Sequence, residues 1–141
     1  MLHIVDRAMR LWAEPVPDGD EGVAAFRAVY ADPVLVNGEE TSLAVLVDRA
    51  RMLQRAFPDL EHEMHERIDT PGRSAFSFHL TGTHHGPLAT PLGVVAPTGR
   101  RLRFAGLDIF TLVDDRVVGV WAIADYLGLL ADAGAVALVQ P

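Results

Sequence analysis

Phe104-Ala-Gly-Leu-Asp-Ile-Phe-Thr-Leu-Val-Asp-Asp-Arg-Val-Val-Gly-Val-Trp-Ala-Ile-Ala-Asp125 holds two long runs rich in valine, isoleucine and aromatic residues, joined at Asp114-Asp115. Such residues fit a pleated, half-buried surface, and a two-residue acidic turn between them predicts an antiparallel hairpin. Its strands are expected over Arg100 to Val113 and Arg116 to Asp125. Two further strand patterns precede it, Leu60 to Asp69 and Arg73 to His84, separated by a turn at Thr70-Pro71-Gly72. The segment Gly86 to Gly99 between them and the hairpin is too rich in proline and glycine for regular structure. Loops of this length are usually functional or mobile.

Toward the N-terminus the period changes from two to between three and four. Leu2, Val5, Met9 and Trp12 share one face of a helix that Pro15 and Pro17 end. Asp18-Gly19-Asp20 supplies a turn and a cap for a second helix over Glu21 to Tyr30, with Val23, Phe26, Val29 and Tyr30 inward. Ala31-Asp32-Pro33 breaks it, because a residue before proline leaves the helical region. Val34 to Val36 then runs as a short strand into the Asn37-Gly38 turn. Thr41-Ser42 caps a third helix over Leu43 to Phe57, which carries Val45, Leu46, Arg49, Met52, Leu53 and Ala56 at helical spacing and closes at Pro58. A short helix is expected over Tyr126 to Ala133, followed by a loose apolar tail. Helices first and a meander of strands second predict an α+β domain spanning 1–141, in which a curved antiparallel sheet wraps around the N-terminal helices and encloses a cone.

Composition bounds the chemistry. The chain has 141 residues, enough for one domain. A net charge of −7, with 12 scattered arginines against 19 acidic residues, argues against nucleic acid. Lysine and cysteine are both absent, which removes Schiff bases, thiol nucleophiles, disulfides and thiolate metal sites. Oxygen and imidazole chemistry remain. With no basic-then-apolar leader and no long apolar run, the expectation is a cytoplasmic protein with no membrane partner. Walker, GxGxxG, GxSxG and HExxH patterns are missing, so phosphate, dinucleotide, acyl-serine and zinc-protease chemistry have no support.

Polar residues at alternating positions of apolar strands mark candidate sites. Asp108 shares a face with Phe104, Phe110 and Leu112. By the same parity Asp125 shares one with Val117, Gly119, Trp121 and Ile123, so both carboxylates could line one cavity. A carboxylate desolvated among aromatics has a raised pKa and suits general acid/base work near neutral pH. The alternatives are that Asp125 caps the helix starting at Tyr126 and that Asp108 meets Arg101, Arg103 or a backbone amide. One β-bulge would reverse a face. His62 and His65 point to opposite sides of a strand, and His84-His85 sit at a strand end, so the spacing gives no metal site. His79 is either solvent-facing or a pocket partner. Asn37 is either a turn residue or an amide donor to a substrate carbonyl. Trp12 fits the core, and Trp121 fits the core or a pocket wall.

Taken in order, Phe57-Pro-Asp-Leu60, Leu80-Thr-Gly-Thr-His-His-Gly86, Pro97-Thr-Gly-Arg-Arg101, Gly106-Leu-Asp-Ile-Phe110 and Trp121-Ala-Ile-Ala-Asp125-Tyr-Leu-Gly-Leu-Leu130 form a series over Val23 to Leu130. The series resembles the SnoaL-like polyketide cyclase (ester cyclase) family, whose fold is the nuclear-transport-factor-2-like cone. The resemblance implies intramolecular aldol closure of a small, hydrophobic, poly-carbonyl substrate by a pocket acid/base, with no metal or cofactor. It places the catalytic aspartate at Asp125, after the tryptophan of the last strand. Asn37 or His79 would hold the developing enolate, Asp108, Trp121 and Phe110 would contact substrate, and His84, in the Gly-Thr-His-x-Gly motif, would position the loop over the pocket. It also implies a homodimer or homotetramer. The histidine that some cyclases carry on the penultimate strand has no match between Arg100 and Val113; Asp108 occupies that strand. The same fold also hosts non-catalytic ligand-binding or interaction domains, hydroxylation partners, isomerases and epoxide hydrolases.

Overall fold

The structure is a computed structural model that describes residues 2–141. The order of elements is α1 (Ile4–Ala13), α2 (Asp20–Arg27), β1 (Tyr30–Val36), β2 (Glu39–Thr41), α3 (Leu43–Ala56), β3 (Glu61–Thr70), β4 (Arg73–Thr83), β5 (Leu88–Thr90), β6 (Gly93–Val95), β7 (Arg101–Val113), β8 (Arg116–Ala124) and α4 (Tyr126–Asp132). Six strands form one sheet in the order β2-β1-β8-β7-β4-β3. Every pairing is antiparallel except β1 with β8, which is parallel. The helices-then-strands order read from periodicity is therefore the order found.

Local chemistry accounts for most boundaries. The Ser42 side chain accepts the Val45 N–H and starts α3, as its position before an apolar run predicts. At the α2 start, by contrast, the cap residue is Gly19 and no side chain caps the helix, so neither Asp18 nor Asp20 takes that role. Tyr30 also departs from expectation. It opens β1 instead of ending α2, because the helix stops at Arg27 and the chain extends toward Pro33. Asn37 and Gly38, both at positive φ, turn β1 into a three-residue β2 that alternation alone does not reveal. The Pro/Gly-rich 86–99 segment holds a small two-stranded hairpin, β5 with β6, where irregular structure was expected.

One apolar core lies between the helices and the inner face of the sheet. It joins Val5 and Met9 of α1, Phe26 of α2, Leu46 and Ala50 of α3, and Phe76, Phe78, Leu102, Phe104 and Phe110 of the sheet. Aromatic rings run through it in contact: Trp12 meets Phe26 edge-on, Phe26 stacks on Tyr30, Tyr30 meets Phe110, and Phe110 meets Phe76. Edge-to-face pairs of this kind add about 0.5–1.5 kcal/mol each beyond area burial. The helices close one side of the sheet's concavity and leave a cavity at its open end.

The β7–β8 register decides what faces that cavity. From Gly106 opposite Ala124 to Thr111 opposite Gly119 the pairing is regular; then Leu112 pairs with Val117, and Val118 is left as an extra residue. This bulge reverses parity along β8. Val117 and Val120 are both buried, whereas Trp121 and Ile123 are 57% and 68% exposed on the outer face. The expected shared face of Val117, Trp121, Ile123 and Asp125 therefore does not form.

Candidate active site

The cavity has a volume of about 700 Å³. Its floor is Phe78, Phe104, Asp108 and Phe110 from the sheet with Val120, Ala122 and Ala124 opposite; its walls are Met9, Trp12 and Tyr30; its mouth is framed by Arg49 and Met52 of α3, Ala89 to Pro91 of the hairpin, and Tyr126 of α4. Pockets of this size and apolar character, with a few convergent polar groups, are the usual form of small-molecule sites.

Asp108 is the one carboxylate lining this cavity among the described residues. It points inward because it lies two residues from buried Phe110 and four from buried Phe104 on one strand. Arg101 and Arg103, its expected partners, instead reach Asp59, Glu61 and Glu63. Asp108 makes no ion pair or side-chain hydrogen bond among the described residues. Burial without compensation raises its pKa from 3.8 to about 7.

Tyr30 stands in the same cavity and is almost fully buried. The indole N–H of Trp12 donates to its hydroxyl oxygen at 3.1 Å. Trp has no acceptor, so the phenolic proton of Tyr30 is left free to donate elsewhere. Burial pushes this phenol above its ordinary value, Trp12 acts against that, and the charge of Asp108 adds to it. A neutral O–H donor and a carboxylate poised near neutrality thus share one apolar chamber. Sequence reading assigned Tyr30 to a helix core and Arg49 to an apolar helix stripe. An arginine between Leu46 and Leu53 was the available signal for the latter; for Tyr30 the signal was its even spacing from Val34 and Val36 on a strand.

The remaining expected site residues separate into groups. Phe110 lines the cavity. Asn37 borders it, but its amide is spent on the backbone of Ala122, donating to the carbonyl at 3.2 Å and accepting the N–H at 2.8 Å. Asn37 is thus a clamp between the β1–β2 turn and β8. Asp125 is exposed, lies outside the cavity lining and caps α4, accepting the Gly128 N–H at 2.9 Å. Trp121 lies on the outer face. His79 is outward too, its ring 2.6 Å from that of His65, and partial desolvation, then Arg103, then His65 hold it below the ordinary histidine value. His84 is fully buried against Phe57, accepts the Thr98 N–H at its Nδ1, and has no partner for Nε2. His85 and Gly86 donate backbone N–H groups to the Ala56 carbonyl, and a Cβ at Gly86 would collide with the Arg55 backbone. His84 and Gly86 together anchor the base of the hairpin that roofs the cavity. Among the described residues no group of three or more His, Asp or Glu side chains could hold a metal ion, and no helix is long and apolar enough to cross a membrane.

A curved sheet closed by three helices around an apolar chamber with one buried carboxylate defines a cone-fold pocket protein. The chain belongs to the SnoaL-like polyketide cyclase family, whose family model matches residues 6–133. Among solved structures it is similar to TsrD from Streptomyces laurentii, at 20% identity over 94% of this chain and 96% of that one, with a TM-score of 0.75. It is also similar to a SnoaL-like polyketide cyclase from Agrobacterium tumefaciens, at 17% identity over 93% and 98% with a TM-score of 0.71, and to IdmH from Streptomyces antibioticus, at 23% identity over 94% and 99% with a TM-score of 0.70. At such identities the likeness is one of fold. No curated protein sequence matches the chain.

Proposed function

We propose that this chain is a cyclase-type enzyme that closes a ring on a small, hydrophobic, poly-carbonyl substrate by aldol chemistry, with Asp108 as acid/base. The observation that carries this reading is a lone carboxylate, raised to about pKa 7 by burial, in a 700 Å³ apolar cavity. A base is most effective when its pKa lies near the working pH. Asp108 takes the proton alpha to one carbonyl, and the Tyr30 hydroxyl donates to the enolate oxygen that forms. The enolate carbon then bonds to a second carbonyl carbon, and the new alkoxide recovers the proton from Asp108. Substrate and product are isomers, so the proton balance closes on one side chain. This assigns to Asp108 the role that family resemblance placed at Asp125, whose carboxylate is occupied by the α4 cap.

The experiment is catalysed hydrogen–deuterium exchange at the alpha carbon of 2-tetralone in D2O, followed by proton NMR. The protein should accelerate exchange over buffer, and Asp108→Asn should lower that acceleration by about 10²–10⁴-fold. Exchange surviving in Asp108→Asn would sink the assignment.

The outer face of the sheet supports a second part of the reading, pairing with another copy of the chain. Ile109 lies opposite Trp121 and Leu107 opposite Ile123, so four exposed apolar side chains are contiguous on adjacent strands. Contiguous exposed apolar surface marks association sites. Sedimentation equilibrium reads this directly: a particle of twice 15.3 kDa supports a dimer, and a monomer at micromolar concentration overturns it.

A further inference from the structure

We propose that the cavity takes its ligand in one orientation, with a carboxylate at the mouth on Arg49 and the carbonyl-bearing apolar body inward toward Asp108. The inference rests on the cavity being the substrate site and adds the ligand's charge and direction. Arg49 is the one cation lining the cavity among the described residues. It lies at helical spacing from Leu46 and Leu53, both of which also line the cavity, and its side chain is exposed at the mouth.

Its pairing state is the second observation. Six of the twelve arginines, Arg7, Arg27, Arg51, Arg67, Arg101 and Arg103, hold ion pairs. Among the described residues Arg49 is one of the six that hold none, makes no side-chain hydrogen bond, and is the one of those six that lines the cavity. Its guanidinium keeps a donor fork shaped for a carboxylate. Arg49 is exposed, whereas Asp108 is desolvated between Phe104 and Phe110, and the two form no ion pair with each other. Asp108 repels an anion and receives a neutral carbonyl segment. A ligand with one anionic terminus satisfies both groups in only one direction.

Isothermal titration calorimetry at pH 7.5 with anthraquinone-2-carboxylate and its methyl ester tests this. The carboxylate should bind about fivefold more tightly than the ester, the scale of a partly exposed ion pair. Arg49→Gln should abolish the preference by weakening the carboxylate alone, while Arg55→Gln, on the same helix outside the cavity, should preserve it. Equal binding of acid and ester to the unaltered protein, or a preference that survives Arg49→Gln, overturns the orientation and leaves the cavity assignment standing. Binding of neither compound overturns the cavity assignment as well.

Discussion

Asp108 and Asp125 belong to adjacent strands of one hairpin, and their surroundings differ in every respect that matters to chemistry. Around Asp108 the strands present Phe104 and Phe110 on one side and Ala122 opposite, with no donor to the carboxylate. Around Asp125 the sheet has ended, water reaches the side chain, and the first turn of α4 offers an N–H. The two residues have the same functional group; one has its pKa raised to about 7 by burial and the other is consumed as a cap. What separates them is Val118, the unpaired residue that turns every position beyond it to the opposite face.

The sharpest way to break the contrast is to place a carboxylate on each face of β8 in turn. Regular alternation from Val117 would put Trp121 inward and Val120 outward; the bulge puts Val120 in the core and Trp121 on the outer face. Val120→Asp should therefore cost about 3–5 kcal/mol, the scale of an uncompensated buried charge, and Trp121→Asp no more than about 1 kcal/mol. Urea unfolding followed by near-ultraviolet circular dichroism reads both; the opposite ranking would refute the role given to the bulge.

A smaller effect separates the aspartates by their cost to folding. A carboxyl whose pKa rises from 3.8 in the unfolded chain to about 7 in the fold binds its proton more tightly when folded. Its stabilising contribution is therefore complete below pH of about 4 and lost as pH rises through about 7. Asp108→Asn removes that dependence, and should be more stable than the parent at pH 8 by on the order of 2–4 kcal/mol, with the difference vanishing by pH 4. Denaturant midpoints measured across that range check the sign; a variant less stable at pH 8 than the parent would contradict it. Gaining stability while losing activity is the behaviour expected of a functional group placed against the folding interest of its site.

Smallest is the change at Asp125. Asp125→Ala should cost about 0.5–2 kcal/mol, the range for losing a helix cap, and leave alpha-proton exchange at the parental rate. An exchange defect equal to that of Asp108→Asn would move the chemistry back to the end of the strand.

The sequence made the helices, the long strands and the family legible because these rest on local period and on motifs. The inward direction of Asp108 was legible too, since β7 is regular from Phe104 to Phe110 and alternation needs nothing else. What alternation could not carry was the far half of β8, where a single extra residue among Val117, Val118 and Gly119 leaves no mark in composition. Tyr30 was misplaced for a related reason: its helix-like spacing from Phe26 competes with its strand-like spacing from Val34, and tertiary pairing with Val117 settles it. Arg49 and Trp12 depend on contacts between elements remote in sequence, which no local pattern encodes. The small β5–β6 hairpin escaped because Pro and Gly mask three-residue strands.

The anchoring of that hairpin has an evolutionary consequence. His84 exchanges backbone hydrogen bonds with Arg100 and Gly99 and grips Thr98 through its ring. The excursion from 86 to 97 therefore leaves and returns through a closed collar, and its interior contributes no pairing to the main sheet. Extending a loop whose ends are already fixed adds little entropic cost, about 0.6 kcal/mol per doubling of length. The roof of the chamber can thus change length at small entropic cost while Leu88, buried in the core, keeps it seated and the floor that holds Asp108 stays in register.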